Sequence, residues 1–142
     1  MPELDDKIRH AYTAGLIDGE GSLELNYVEG TVWGIVHVVI SNQHKPLLET
    51  LKTYYGYGGI YRNGAAWKWS VNKAEDIVDI LTKTIPYLTI KQQEAIVLIE
   101  IARITKRRGR SMMSDQERLL RKRLNEMFNL AKEERFKVLK SA

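Results

Sequence analysis

The sequence predicts an α+β protein in which an antiparallel sheet packs against helices. Segments with apolar residues at three- and four-residue spacing, typical of helices, alternate along the chain with pairs of short segments in which polar and apolar residues alternate. Paired strands joined by a short turn favour an antiparallel sheet, because a parallel sheet needs single strands separated by helices. The expected order is an αββαββα core followed by further helices at the C-terminus.

The first helix is expected from about Asp5 to Asp18. Its apolar and small residues recur every three or four positions, and Asp5 or Asp6 is available as the N-cap. Gly19 or Gly21 is expected to end it, because glycine is a poor helix former.

Two hairpins are expected. The first comprises residues 22–27 and about 32–40, joined by a turn at residues 29–30, and the second comprises residues 60–63 and 67–71 around Gly64. Alternation gives each strand one buried face. The residues expected to point inward are Leu23, Leu25, Tyr27, Val36, Val38, Ile40, Trp67, Trp69 and Val71.

Further helices are expected at residues 47–56, 73–84 and 91–104, and the basic segment 106–111 is expected to be a linker. Ser114 and Glu117 have the spacing of a capping box, which predicts a last helix. Its inward residues are expected to be Leu119, Leu120, Leu124, Met127, Phe128 and Ala131. We therefore expect one domain, with a core over residues 1–105 and a linker and helix packed on it over residues 106–142.

The composition excludes several kinds of site. The 142 residues include no cysteine, which rules out disulfides, thiolate zinc sites and a cysteine nucleophile. His10, His37 and His44 are too scattered to suggest a metal cluster. No apolar run approaches the roughly 18 residues of a membrane span, and the polar N-terminus lacks the apolar core of a signal peptide. A soluble, intracellular protein with no membrane partner is expected.

The positive charge is concentrated in the C-terminal part of the chain. Residues 1–102 contain 9 Lys/Arg and 13 Asp/Glu, whereas residues 103–142 contain 13 and 5, so a net charge of −4 is followed by +8. This asymmetry is consistent with an acidic partner such as nucleic acid, and equally with a solvated helix face.

The segment TAGLIDGEG, residues 13–21, ends the first predicted helix with unusual residues. Ala14 and Gly15 are a cost in a helix. The face with Ala11 and Gly15 is a candidate for close contact with a second helix, which would offset this cost. Glu20 stands between two glycines that let a ligand approach its carboxylate. Packing rules alone favour an intramolecular contact for the small residues, and an exposed glutamate in a turn is usually only solvated.

This segment resembles the LAGLIDADG signature of homing endonucleases, with threonine at the first position and Gly-Glu-Gly in place of Ala-Asp-Gly. The resemblance continues through residues 47–60, similar to the family's helix and F-G-x-G-x-I turn, and through residues 88–92, similar to its late lysine segment. It implies a saddle-shaped antiparallel sheet and, for a chain with one motif, a homodimer joined at the motif helices. The implied interface residues are Ala11, Tyr12, Ala14, Gly15, Leu16 and Asp18.

The resemblance also implies a site for Mg²⁺ or Mn²⁺ that hydrolyses DNA phosphodiester bonds. Glu20 is the expected metal ligand, with the carbonyl of Gly19 as a further ligand. Lys91 is the expected basic helper in catalysis, although a lysine at a helix start is otherwise a surface residue. The candidates for a second helper, directly after the second strand, are Asn42, which we favour, Gln43 and His44.

DNA reading is expected on the outward face of the two hairpins, because a two-stranded ribbon fits the major groove. Without the resemblance this polar face would be uninformative, since any antiparallel sheet presents such a face to water. The residues expected on it are Glu24, Asn26, Val28, Trp33, His37, Tyr61, Asn63, Lys68 and Ser70.

Salt-sensitive attraction to DNA phosphates is expected from the basic segment and the last helix. The segment's cations are Lys106, Arg107, Arg108 and Arg110. Truncation at about Thr105 is therefore expected to weaken binding to all sequences alike.

The expected function is a homing endonuclease that makes a metal-dependent double-strand break in a long, roughly palindromic site in double-stranded DNA. Two alternatives of the same fold are a maturase that binds its own intron RNA and a DNA-binding regulator that does not cleave. Glu20 with Lys91 favours the nuclease over the regulator, because binding alone does not need a metal carboxylate.

Overall fold

The computed structural model of the chain describes residues 3–27, 34–107 and 114–141. Five α-helices, one 3₁₀ turn and four strands follow one another in these ranges. In chain order they are α1 (Glu3–Glu20), β1 (Gly21–Tyr27), β2 (Gly34–Asn42), α2 (Lys45–Tyr55), β3 (Gly59–Asn63), β4 (Ala66–Val71), α3 (Ala74–Thr84), the 3₁₀ turn (Ile85–Tyr87), α4 (Gln92–Arg107) and α5 (Asp115–Ser141). The predicted α+β class is confirmed.

The four strands form one antiparallel sheet in the order β1-β2-β4-β3. The two strands of each predicted hairpin pair with each other. Strand β2 also pairs with β4 and so joins the two hairpins, with Asn42 opposite Trp67. Alternation along the strands gives the sheet an inner face toward the helices and an outer face without helices. Because Gly21 lies opposite Ile40, the end of α1 lies beside the end of β2.

The core lies between the inner face of the sheet and the helices. Leu23 and Trp69 are among the strand residues buried there, together with Ile17 of α1, Ile77 of α3 and Leu98 of α4. Gly58 lies in a left-handed conformation beside Trp69, and a side chain on Gly58 would collide with the indole nitrogen. None of the described helices is long and apolar enough to cross a membrane.

Helix α1 is longer than expected. It begins at Glu3, so neither Asp5 nor Asp6 is its N-cap, and it includes Glu20 as its last residue. Its C-terminal end is continuous with β1, and this leaves the final carbonyl groups of the helix without the partners that a longer helix would supply.

Helix α5 packs with a different face from the predicted one. The capping box forms, because the backbone N–H of Glu117 donates to Oγ of Ser114 over 3.1 Å. Leu124 and Phe128 are buried as expected. Three residues expected to point inward are instead exposed, namely Leu119, Leu120 and Met127, whereas Arg121 and Asn125 are buried. Apolar residues occur on more than one side of this helix, and hydropathy did not identify the side that packs.

Candidate active site at the end of the first helix

Glu20 and Asn42 form a polar pair where α1 and β2 end. Nδ2 of Asn42 donates to Oε2 of Glu20 over 2.6 Å. Oδ1 of Asn42 accepts the backbone N–H of His44 over 2.7 Å, which orients the amide so that its nitrogen faces the carboxylate. Of the two rival residues, Gln43 lines the same cleft, whereas His44 is the N-cap residue of α2. The cleft has a volume of about 500 Å³ and is lined by Glu20, Ser41, Asn42, Gln43 and Ala66.

Asp18, two residues before Glu20, is bound by the backbone that leads into α4. Its carboxylate accepts the N–H groups of Thr89 over 2.7 Å, Ile90 over 3.2 Å and Lys91 over 3.0 Å. These three residues directly precede Gln92, the first residue of α4, at the end of the helix where negative charge is favourable. Asp18 therefore caps α4 from the end of α1.

Lys91, just before α4, in turn binds the backbone at the end of α1. Its ammonium donates to the carbonyl groups of Ile17 over 2.8 Å, Asp18 over 3.1 Å and Gly21 over 2.7 Å. An ammonium has three N–H donors, so all of them are used. The residue is only 7% exposed, and this burial lowers the pKa of its side chain, with the charge of Arg135 acting in the same direction. We call this two-way connection the Asp18–Lys91 clasp; a direct catalytic role for Lys91 stays a prediction.

The two glycines that flank Glu20 have different surroundings. A Cβ atom on Gly21 would lie 2.6 Å from Cα of Ile17 and 2.7 Å from its carbonyl oxygen, so only glycine fits there. A Cβ atom on Gly19 would meet nothing within 4 Å. Gly21 therefore serves the internal geometry of the chain, whereas Gly19 faces open space.

The oxygen atoms at this end of α1 fit one face of a hard metal ion. Glu20 is exposed, and the Gly19 carbonyl is not among the three that Lys91 binds. Carboxylate and carbonyl oxygens are the ligands that Mg²⁺ takes. In the described ranges no three His, Cys, Asp or Glu residues are grouped to hold a metal ion.

The outer face of the sheet carries most of the predicted DNA-reading residues. Glu24 lies opposite His37, and Tyr61 lies opposite Lys68. The remaining described members on this face are Asn26, Asn63 and Ser70. Val28 and Trp33 lie outside the described residues. Sequence reasoning missed one exposed apolar residue of this face, Ile35, although the alternation that gives Trp33 and His37 includes it.

One stripe of α1 is exposed. Its members follow at spacings of four, three and four residues: Ile8, Tyr12, Gly15 and Gly19. Tyr12 and Gly15 were predicted for a dimer interface, and they lie on this stripe. Ala14 was predicted there wrongly, because it is 0% exposed and packs in the core of its own chain. Ala11, Leu16 and Asp18 are half-buried, and Asp18 faces α4 rather than the stripe.

The predicted phosphate-binding tail is described only in part. Lys106 and Arg107 are the last residues of α4 rather than linker, and Arg108 and Arg110 lie outside the described residues. Helix α5 is held to the core by an ion pair between Arg135 and the buried Glu94, at 2.5 Å. Truncation at Thr105 would therefore also uncover core residues, and substitution of single cations is the cleaner test of phosphate binding.

A family model described as LAGLIDADG endonuclease matches residues 13–102. The chain belongs to the LAGLIDADG endonuclease family. No curated protein matches the sequence.

Several solved homing endonucleases share the fold. I-CvuI in complex with its target in the presence of Ca has a TM-score of 0.69 and 19% identity, over 88% of this chain and 85% of that chain. The archaeal intron-encoded I-Vdi141I complexed with DNA has a TM-score of 0.63 and 15% identity, over 90% of this chain and 97% of that chain. I-SmaMI bound to cleaved DNA has a TM-score of 0.63 and 19% identity, over 80% of this chain and 41% of that longer chain.

Proposed function

We propose that this protein is a homodimeric, divalent-metal-dependent endonuclease that makes a double-strand break in a long, roughly palindromic DNA site. The observation that carries the proposal is the exposed Glu20 carboxylate, oriented by Asn42 in a cleft at one end of an open sheet. Membership of the LAGLIDADG endonuclease family and the DNA complexes of structures with the same fold support it.

Glu20 and the Gly19 carbonyl are the proposed ligands of Mg²⁺ or Mn²⁺. A bound divalent metal would neutralise charge on the scissile phosphate and activate water. Asn42 holds one carboxylate oxygen of Glu20 and so limits its rotamers. The Asp18–Lys91 clasp fixes the backbone on both sides of Gly19 and Glu20, because it binds the carbonyls of Ile17, Asp18 and Gly21.

The outer face of the sheet is the proposed reading surface. Asn26 and Asn63 can pair with adenine, and Lys68 with guanine, in the major groove. The sheet and the cleft are continuous, because β1 begins at the residue after Glu20 and β2 ends at Asn42. A duplex lying on the outer face at this end of the sheet therefore reaches Glu20.

Two copies are needed to cut both strands if each copy has one such carboxylate. The exposed stripe of α1 is the proposed contact, since Gly15 and Gly19 leave room for a second helix. Ile8 and Tyr12, each 57% exposed, would become buried in the dimer. Each protomer would then read one half of the site.

The test of the function is cleavage of a duplex selected by its binding from a random library. Wild type should cut in Mg²⁺ and bind without cutting in Ca²⁺, whereas Glu20→Gln should bind and cut at least about a hundredfold more slowly, since it removes charge stabilisation at the reacting phosphate. Glu75→Gln, at an exposed position of α3, is the control and should keep cleavage. Specific binding without any cutting would instead indicate a regulator, and binding to intron RNA a maturase.

The test of the dimer is Gly15→Arg, measured by sedimentation equilibrium. The variant should be monomeric and folded, because a Cβ at Gly15 meets nothing within 4 Å of its own chain. Thr53→Arg, at an exposed position of α2, is the matched control and should stay dimeric. A dimeric Gly15→Arg variant would contradict the proposed interface.

A further inference from the structure

Two cations are held on one aromatic ring near the candidate site. Nζ of Lys45 lies 4.3 Å from the ring centroid of Trp67, and the guanidinium carbon of Arg62 lies 5.5 Å from it. An aromatic face attracts cations at such distances. Trp67 thus keeps the two positive charges near each other, and the Nε–H of Arg62 is further fixed on the carbonyl of Gly64 over 3.2 Å.

This pair lies at the same end of the sheet as Glu20. Trp67 is opposite Asn42 in the β2–β4 register and opposite Arg62 in the β3–β4 register. All three therefore lie on the helix-facing side of the sheet, at its end, and the cations can meet only the part of a DNA backbone that passes this end next to Glu20. The cleft that contains Glu20 extends to Ala66, the residue before Trp67. Lys45 begins α2, three residues after Asn42, where helix N–H groups also favour an anion.

Carboxylates of the described residues neutralise little of the positive charge of Lys45 and Arg62. Among the described residues, no carboxylate lies within 4.0 Å of the Arg62 guanidinium. Lys45 pairs with Glu49 at 3.7 Å, and both side chains are about half exposed, so this ion pair contributes little stability. The two cations are therefore available to an external anion.

We infer that Lys45 and Arg62 bind the DNA backbone at phosphates next to the scissile one, one phosphate for each cation. The inference rests on the proposed nuclease function, and it assigns phosphate contacts to the sheet end rather than to the C-terminal tail alone. Such contacts set the position of the duplex over Glu20 without reading its sequence.

The experiment is the salt dependence of binding in Ca²⁺, with a library-selected target and with a random-sequence duplex. Each substitution removes two cations from the proposed dimer, so Lys45→Gln and Arg62→Gln should each reduce the magnitude of the slope of log K against log salt by about 1.8, and the double variant by about 3.6. The loss should be equal on both duplexes. Lys52→Gln, which removes the same charge from the opposite end of α2, is the control and should leave the slope unchanged.

Unchanged slopes for Lys45→Gln and Arg62→Gln, in a protein whose wild type binds DNA, would overturn this inference and leave the proposed function intact. A loss confined to the selected target would also overturn it, because it would mean base reading. Failure of wild type to bind either duplex would overturn both proposals. Both substituted side chains reach solvent, and equal thermal unfolding of the variants would exclude misfolding as the cause.

Discussion

The end of α1 carries two carboxylates two positions apart, in contrasting surroundings. Asp18 accepts three backbone N–H groups and is matched by Lys91, whose donors are all used in return. Glu20 accepts one side-chain N–H from Asn42 and is otherwise exposed to the cleft. The difference separates two tasks: the closed region determines where the backbone lies, and the open region keeps oxygen atoms for a ligand. Substitutions can test each region separately.

The largest change in stability is expected for Lys91→Met. It removes the donors of three carbonyl groups at the end of α1, and hydrogen bonds to charged groups contribute about 1.5 to 3 kcal/mol. We expect the free energy of unfolding in urea, at a fixed protein concentration, to fall by about 3 kcal/mol. Lys83→Met, which breaks an exposed ion pair with Asp79, is the control and should cost less than about 1 kcal/mol. Normal stability with abolished cleavage would show instead that Lys91 acts directly in catalysis.

A smaller loss of stability than for Lys91→Met is expected for Gly21→Ala, and Gly19→Ala is its matched comparison. The new methyl group on Gly21 would collide with the backbone of Ile17, which cannot move aside, and overpacking of this kind costs about 2 kcal/mol. Gly19→Ala finds open space and should raise the stability of the isolated fold by up to about 1 kcal/mol, because alanine favours the helix. Urea unfolding of both variants checks the difference. Equal losses would mean that the two glycines do not differ as their surroundings indicate.

The smallest change in stability is expected for Asn42→Ala, which belongs to the open region. The free energy of unfolding should stay within about 0.5 kcal/mol of wild type, since no buried group loses a partner. Cleavage in Mg²⁺ should fall about tenfold or more, as when a partner that orients a metal ligand is lost. Ser41→Ala, at another residue that lines the cleft, is the control. An equal loss of cleavage in both variants would argue against a specific role of Asn42.

Much of the fold was predictable because its signals are local. Alternation identified both hairpins and their inward faces, as shown by the complete burial of Val38 and Trp69. The helix breaker Pro86 lies two residues after the end of α3. The capping box at Ser114 marked the start of α5 correctly. These features depend on residues within a few positions of one another, and a sequence displays them directly.

The sequence could not show which residues that are distant along the chain contact each other in the fold. Ala14 and Gly15 are both small, and only the packed fold shows that Ala14 lies in the core while Gly15 lies outside. The position of Asn42 next to Glu20 follows from the strand register. Lys91 matched a motif position, but its three carbonyl partners could not be read from the motif. The cation pair on Trp67 was missed for the same reason.

The clasp also has a consequence for the order in which the protein gains its activity. Lys91 lies 73 residues after Asp18, so closing this contact requires the long loop between them to be ordered first. A chain emerging from the ribosome would have its motif helix early but no partner for the end of that helix until α4 is complete. A nascent or truncated chain would thus carry Glu20 on an end that is not yet fixed, and we expect the proposed cleavage of DNA to require the finished fold.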